Sequence, residues 1–229
     1  MVGESQEWLA LRPGTADVGG EPHIIAVVDC GELNLPSGRL VAADPFVNLS
    51  RENDYYAVPP GRYPVRVTMD ETLEREMYLS LLINSAAEVR RAPLVPYRPD
   101  GERHPEPEPD EEYGVSVDAG TVCFVDGEAI LRCMPEAETS WYLEVFDSGQ
   151  PESWFNQMDA GEPLPEGLAN ITLPGAAQGE NIVICHSGWG DGFYPVIGGY
   201  DAAGDLVAVH IDLLLHASIA EEAEEEEEE

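Results

Sequence analysis

Short apolar runs, each closed by a glycine- or proline-bearing turn, constrain this chain more than any other feature. Its 22 glycines and 19 prolines are spread between those runs, leaving little room for a long helix. The runs are rich in β-branched residues, as in His23 to Asp29 and Asn181 to His186. Many short strands between Gly/Pro turns predict an α+β chain that is predominantly antiparallel β, a sandwich or strongly twisted sheet, with one or two short helices.

Along the chain, residues 1–20 read as a partly ordered lead-in and 21–219 as one β-rich domain. Leu33 to Leu35, the Pro36-Ser37-Gly38 turn and Arg39 to Ala42 read as a strand, a turn and a return strand. Tyr63 to Met69 alternates as a strand, and Glu74 to Ile83 fits a strand better than a helix because no clear cap precedes it. Residues 98–112 form an acidic, proline-rich loop whose spacing of prolines forbids both a helix and a paired strand. Val115 to Val125 reads as a strand ending in a hairpin-type turn at Asp126-Gly127, and Glu136 to Phe146 as a helix opened by Pro135. Tyr194 to Tyr200 and Leu206 to Leu215 make a C-terminal hairpin, with Val207, Val209, Ile211, Leu213 and Leu215 on its core face.

Charge restricts the partners. The chain carries 45 acidic residues against 11 basic ones, all arginine, for a formal net charge of -34. Glu221, Glu222 and Glu224 to Glu229 form a tail read as disordered, residues 220–229; without its eight charges the body still carries -26. Such a field repels nucleic acids and anionic membranes and favours basic proteins and divalent cations. No apolar stretch reaches the length of a membrane span, and Met1 to Leu11 lacks the pattern of a secretory signal. Cys30, Cys123, Cys133 and Cys185 are widely spaced, which predicts reduced, buried thiols in a cytoplasmic protein.

Four turn-bearing segments occur in a recognisable order: Leu35 to Phe46, Val58 to Val65, Val117 to Asp126 and Ser187 to Pro195. In this the chain resembles a bacterial family known only as domain of unknown function four-two-four-one, from about Leu35 to Asp212. The resemblance implies a single domain and no particular activity.

The Ser187 to Pro195 segment, S-G-W-G-D-G-F-Y-P, is the sharpest site candidate. Its glycines predict a tightly shaped turn at a strand end, with Trp189, Gly190, Asp191, Gly192 and Tyr194 as ligand-binding candidates. His186 and Asp191 are the catalytic candidates, His186 as a general base. Asp44, Asp126 and Asp191 sit beside glycine or proline, and Asp118 two residues before Gly120, all at strand ends. Were they to meet, their oxygens could hold a divalent cation such as Ca²⁺ or Mg²⁺. Aspartate also stabilises turns through its own backbone, so the same residues have a purely structural reading.

The full G-x-S-x-G elbow is missing around Ser187, and the Gly188 to Gly192 loop leads into a strand and not into a phosphate-facing helix. The expected function is therefore a non-catalytic binding module, immunity- or antidote-like, engaging a basic protein. The alternative is a divalent-metal-dependent hydrolase using the four aspartates.

Overall fold

The computed structural model describes residues 8–18, 20–108 and 111–217. The glutamate tail lies outside them. Thirteen strands run in chain order through these residues: β1 (Gly14–Val18), β2 (Glu21–Leu35), β3 (Arg39–Ala43), β4 (Tyr56–Ala57), β5 (Gly61–Asp70), β6 (Arg75–Leu82) and β7 (Arg90–Pro93), then β8 (Gly114–Val117), β9 (Thr121–Asp126), β10 (Leu168–Thr172), β11 (Asn181–His186), β12 (Gly192–Tyr200) and β13 (Leu206–Asp212). Two short α-helices, α1 (Gly127–Cys133) and α2 (Trp154–Met158), follow β9. The strands form two antiparallel sheets. The first has the order β1-β2-β5-β6-β13-β12-β7 with β8 also paired to β12, and the second β10-β11-β9-β3-β4. The predicted α+β class with mostly antiparallel strands is the observed one.

Why the chain makes two sheets is visible in its apolar runs. Val122 and Phe124 of β9, with Val183 and Cys185 of β11, pack against Leu33, Val65, Val67, Leu79, Val209 and Ile211 of the first sheet. Their neighbours Cys123, Val125, Ile182 and Ile184 point the other way, onto Ile130, Trp141, Phe146 and Trp154 of the helical layer. A strand buried on both faces needs an unbroken apolar run, and V-C-F-V and I-V-I-C supply it. Burial of such side chains is worth roughly 1.5–3 kcal/mol each, so β9 and β11, buried on both faces, contribute strongly to stability.

Five local readings change. Arg39 to Ala43 does not return along β2; it crosses to the second sheet and pairs with β9 and β4. Val115 to Val125 is two strands, because the chain leaves the first sheet after Val117 and enters the second at Thr121. Asp126-Gly127 is a helix start, not a hairpin turn: Asp126 caps α1 by accepting from the Ala129 N–H at 2.9 Å. The expected helix at Glu136 to Phe146 is a 3₁₀ turn (Glu138–Ser140) followed by a π turn (Tyr142–Phe146). Within the lead-in, β1 pairs with β2, so residues 14–18 belong to the sheet.

The core face read for the last strand holds for Val209, Ile211 and Leu213. Its opposite face is closed too. His210 is fully buried there, bonded through Nδ1 to Ser80 Oγ at 2.8 Å and through Nε2 to Glu88 Oε2 at 2.9 Å, with Trp8 edge-on to its ring.

Asp212, at the end of that strand, supplies a pH prediction. Burial pushes its carboxyl up to about 6, helped by the charge of Glu112 and opposed by the Leu214 N–H bond. A raised carboxyl pKa means that stability is full below about pH 3.8 and falls as pH rises toward 6, since the unfolded chain ionises more readily. Asp212→Asn keeps the oxygen that accepts from Leu214. It should match the wild type at pH 4 and exceed it by roughly 1–3 kcal/mol at pH 7.5, read by urea unfolding at both pH values.

Candidate functional site

The Ser187 to Pro195 segment carries the chain from β11 in the second sheet to β12 in the first. Its shape is set by hydrogen bonds that converge on one carbonyl. Gly190 O accepts from the Ser187 hydroxyl at 2.6 Å and from the Tyr194 hydroxyl at 2.8 Å. The Ser187 N–H donates to Gly120 O at 3.0 Å and ties the corner to the turn before β9. Gly188 has φ of +68°, and a Cβ there would lie 2.8 Å from Glu76 O, so both conformation and space demand glycine. Tyr194 is buried and serves the fold.

What the corner presents outward is different. Trp189 is 50% and Phe193 47% exposed, large fractions for side chains held on so constrained a turn. Asp191 and Asp118 are exposed beside them. Their adjacency follows from register: Val117 pairs with Gly192, so Asp118 and Asp191 sit one step beyond the last pair of the β8–β12 ladder. Trp189 also donates its indole N–H to Leu215 O at 3.2 Å, which fixes the ring's orientation.

Asp44 reaches the same corner from below, but its carboxylate is fully engaged. Oδ2 accepts from the N–H groups of Asp118 at 2.9 Å and Ala119 at 2.8 Å. Oδ1 accepts from the Phe46 N–H at 3.1 Å and the Thr121 hydroxyl at 3.2 Å. Asp44 therefore builds the Asp118-Ala119-Gly120 turn. Asp126 stands at the far end of β9, about 17 Å away for a strand of this length. There its Oδ2 accepts from the Ser37 N–H and hydroxyl, at 2.9 and 2.8 Å, while Oδ1 caps α1. The structure thus gathers Asp44, Asp118 and Asp191 at one corner and leaves Asp126 at another.

A family model described as "Protein of unknown function (DUF4241)" matches residues 33–211. The chain belongs to that family. No curated protein and no solved structure matches it. The span matched to DUF4241 contains the whole corner, from Asp44 through Asp118 to Phe193.

Other chemistry-bearing groups of this DUF4241 chain are placed as follows. His186 is half exposed and turns Nδ1 toward Glu76 Oε1 at 3.9 Å, so the carboxylate it faces is that of Glu76 and not Asp191. Burial pushes the Glu76 carboxyl above its usual range, against its own N–H and the charges of His186 and Arg75. All four cysteines are unpaired and buried. Burial pushes the Cys30 thiol up to about 12 and those of Cys123, Cys133 and Cys185 upward as well. Thiols held protonated are poor nucleophiles. Cys30 lines a cleft of about 350 Å³ with Asp29, Leu164, Leu168 and Asn170.

One cluster escaped the sequence reading. His23 Nδ1 lies 2.6 Å and His216 Nε2 2.8 Å from the same oxygen, Oδ2 of Asp70. All three residues are buried. Burial draws the Asp70 carboxyl upward, but its bonds to His216, His23 and the Leu73 N–H outweigh this and hold it below the usual range. Burial lowers His216, partly offset by Asp70. No local spacing announces this group, because its members come from β2, the end of β5 and the last helical turn, residues 215–217. His23 and His216 also lie outside the DUF4241 match, while Asp70 lies inside it.

Proposed function

We propose that this chain is a non-catalytic binding module, immunity- or antidote-like, that engages a basic protein through the corner of Trp189, Phe193, Asp118 and Asp191. The observation that carries this reading is the exposure of two large aromatic side chains at a corner that also exposes two carboxylates, on a turn braced by partly buried hydrogen bonds. Tryptophan in a rigid setting loses little entropy on binding and is a frequent anchor at interfaces. Flanking carboxylates select an arginine- or lysine-bearing partner, and the net charge of -34 speeds its approach. Four unpaired cysteines support a cytoplasmic setting. Among the described residues no helix is long and apolar enough to cross a membrane. The aspartate-based hydrolase has less support, because Asp44 and Asp126 spend their oxygens on the fold.

Tryptophan fluorescence tests the reading. Trp141 and Trp154 are only 2% and 1% exposed and Trp8 is packed on Tyr78 and His210, so contact at the corner should report chiefly through Trp189. Titration with an arginine-rich peptide carrying a central leucine should give a saturating change that Trp189→Phe abolishes. Raising salt from 50 to 300 mM should weaken it by about tenfold. A signal unchanged in Trp189→Phe, or indifferent to salt, would argue against the corner as the interface.

A further inference from the structure

The geometry points to a transition-metal site formed by His23, Asp70 and His216, taking a single ion of the zinc class. Two imidazole nitrogens and one carboxylate oxygen, from three separate segments, lie within 4.8 Å of one another in a buried setting. Among the described residues this is the one grouping of histidine, cysteine and carboxylate donors with that closeness. Its site is distinct from the corner described above, and its donors differ in kind from the four aspartates.

The donor set decides the metal. Ca²⁺ and Mg²⁺ want six or more oxygens, whereas two imidazoles with a carboxylate suit Zn²⁺, Co²⁺ and their neighbours. Bonds of about 2.0–2.1 Å around a tetrahedral ion place donors roughly 3.3 Å apart. The two edges at Asp70 Oδ2, 2.6 and 2.8 Å, would open by about 0.5–0.7 Å. Small rotations of the three side chains supply that. The second oxygen, Oδ1, is pinned by the N–H groups of Thr72 at 2.9 Å and Leu73 at 3.1 Å, which aims the carboxylate as outer contacts do in metal sites. Three protein donors leave a fourth position for water or an incoming ligand.

Such an ion would clamp β2 and β5 to this helical turn. The turn begins at Leu215, whose carbonyl receives the Trp189 indole.

The experiment uses the full chain, stripped by chelation and titrated with Co²⁺ and with Ca²⁺. Co²⁺ should bind one equivalent with visible ligand-field absorption, be displaced by Zn²⁺, and be indifferent to excess Ca²⁺. His23→Gln and His216→Gln should each weaken it by about a hundredfold or more, with folding checked by circular dichroism. Should either variant unfold, X-ray absorption of the wild-type zinc complex decides: two imidazole shells are expected. Binding that persists in folded variants, absorption lost to Ca²⁺, or a zinc shell of oxygens alone would overturn the site and assign the ion to surface carboxylates.

Discussion

Asp44→Ala should lower the free energy of unfolding by about 3–5 kcal/mol, one of the two largest effects expected of any single change here. Asp44 is completely buried and accepts four hydrogen bonds, three of them from residues 74 to 77 positions away. Removing it strands donors that have already left water. Bonds to a charged acceptor contribute about 1.5–3 kcal/mol each, and an unsatisfied buried donor costs about 1–3 kcal/mol. Asp44→Asn should recover only part of the loss, because its amide would bring two hydrogens to face two backbone N–H groups. Urea unfolding measures both. An alanine variant within about 1 kcal/mol of the wild type that had lost affinity for a divalent cation would instead return Asp44 to the role of a metal ligand.

Gly38→Ala should cost about 2–4 kcal/mol. Gly38 closes the turn that hands the chain from β2 to β3, with φ of +73°. A Cβ there would press into the carbonyl oxygen of Val58 and lie 3.1 Å from Pro60 N. Both are backbone atoms of the next strand entry, and Val58 itself donates to Gly38 O at 3.0 Å, so neither side can yield without breaking that bond. Ser37 is held in turn by Asp126, which ties the crossing to the α1 cap. A loss below about 0.5 kcal/mol would mean that the two sheets tolerate a shift at this crossing.

Gly38 also shows how far local sequence reaches. The Pro36-Ser37-Gly38 turn was legible, but its consequence was not, because a tight turn looks the same whether the next strand returns or crosses to another sheet. Only the pairing of β3 with β9 distinguishes them, and that depends on Leu40 to Ala43 meeting residues some 80 positions away. The C-terminal hairpin was legible because both its partners and its turn are local. Asp126-Gly127 misled for a related reason: aspartate before glycine suits a hairpin turn, yet the helix formers Glu128, Ala129 and Leu131 that follow make it a cap.

For the site, the glycines and aromatics of Ser187 to Pro195 marked the corner correctly. The sequence was silent on which aromatics face out, since Tyr194 and Phe193 read alike and only the first is buried. His23, Asp70 and His216 were invisible, because nothing in their neighbourhoods links residues 47 and 146 positions apart.

The most direct test of the corner is a ratio of affinities. Asp118→Asn/Asp191→Asn removes two charges of a net -34, and so does Glu136→Gln/Glu144→Gln, on exposed residues of the helical layer over the second sheet. General electrostatic attraction to the basic peptide would weaken alike in both. Engagement at the corner is expected to cost the first variant about tenfold in Kd and the second less than about twofold. Equal weakening in the two would contradict the corner as the binding surface.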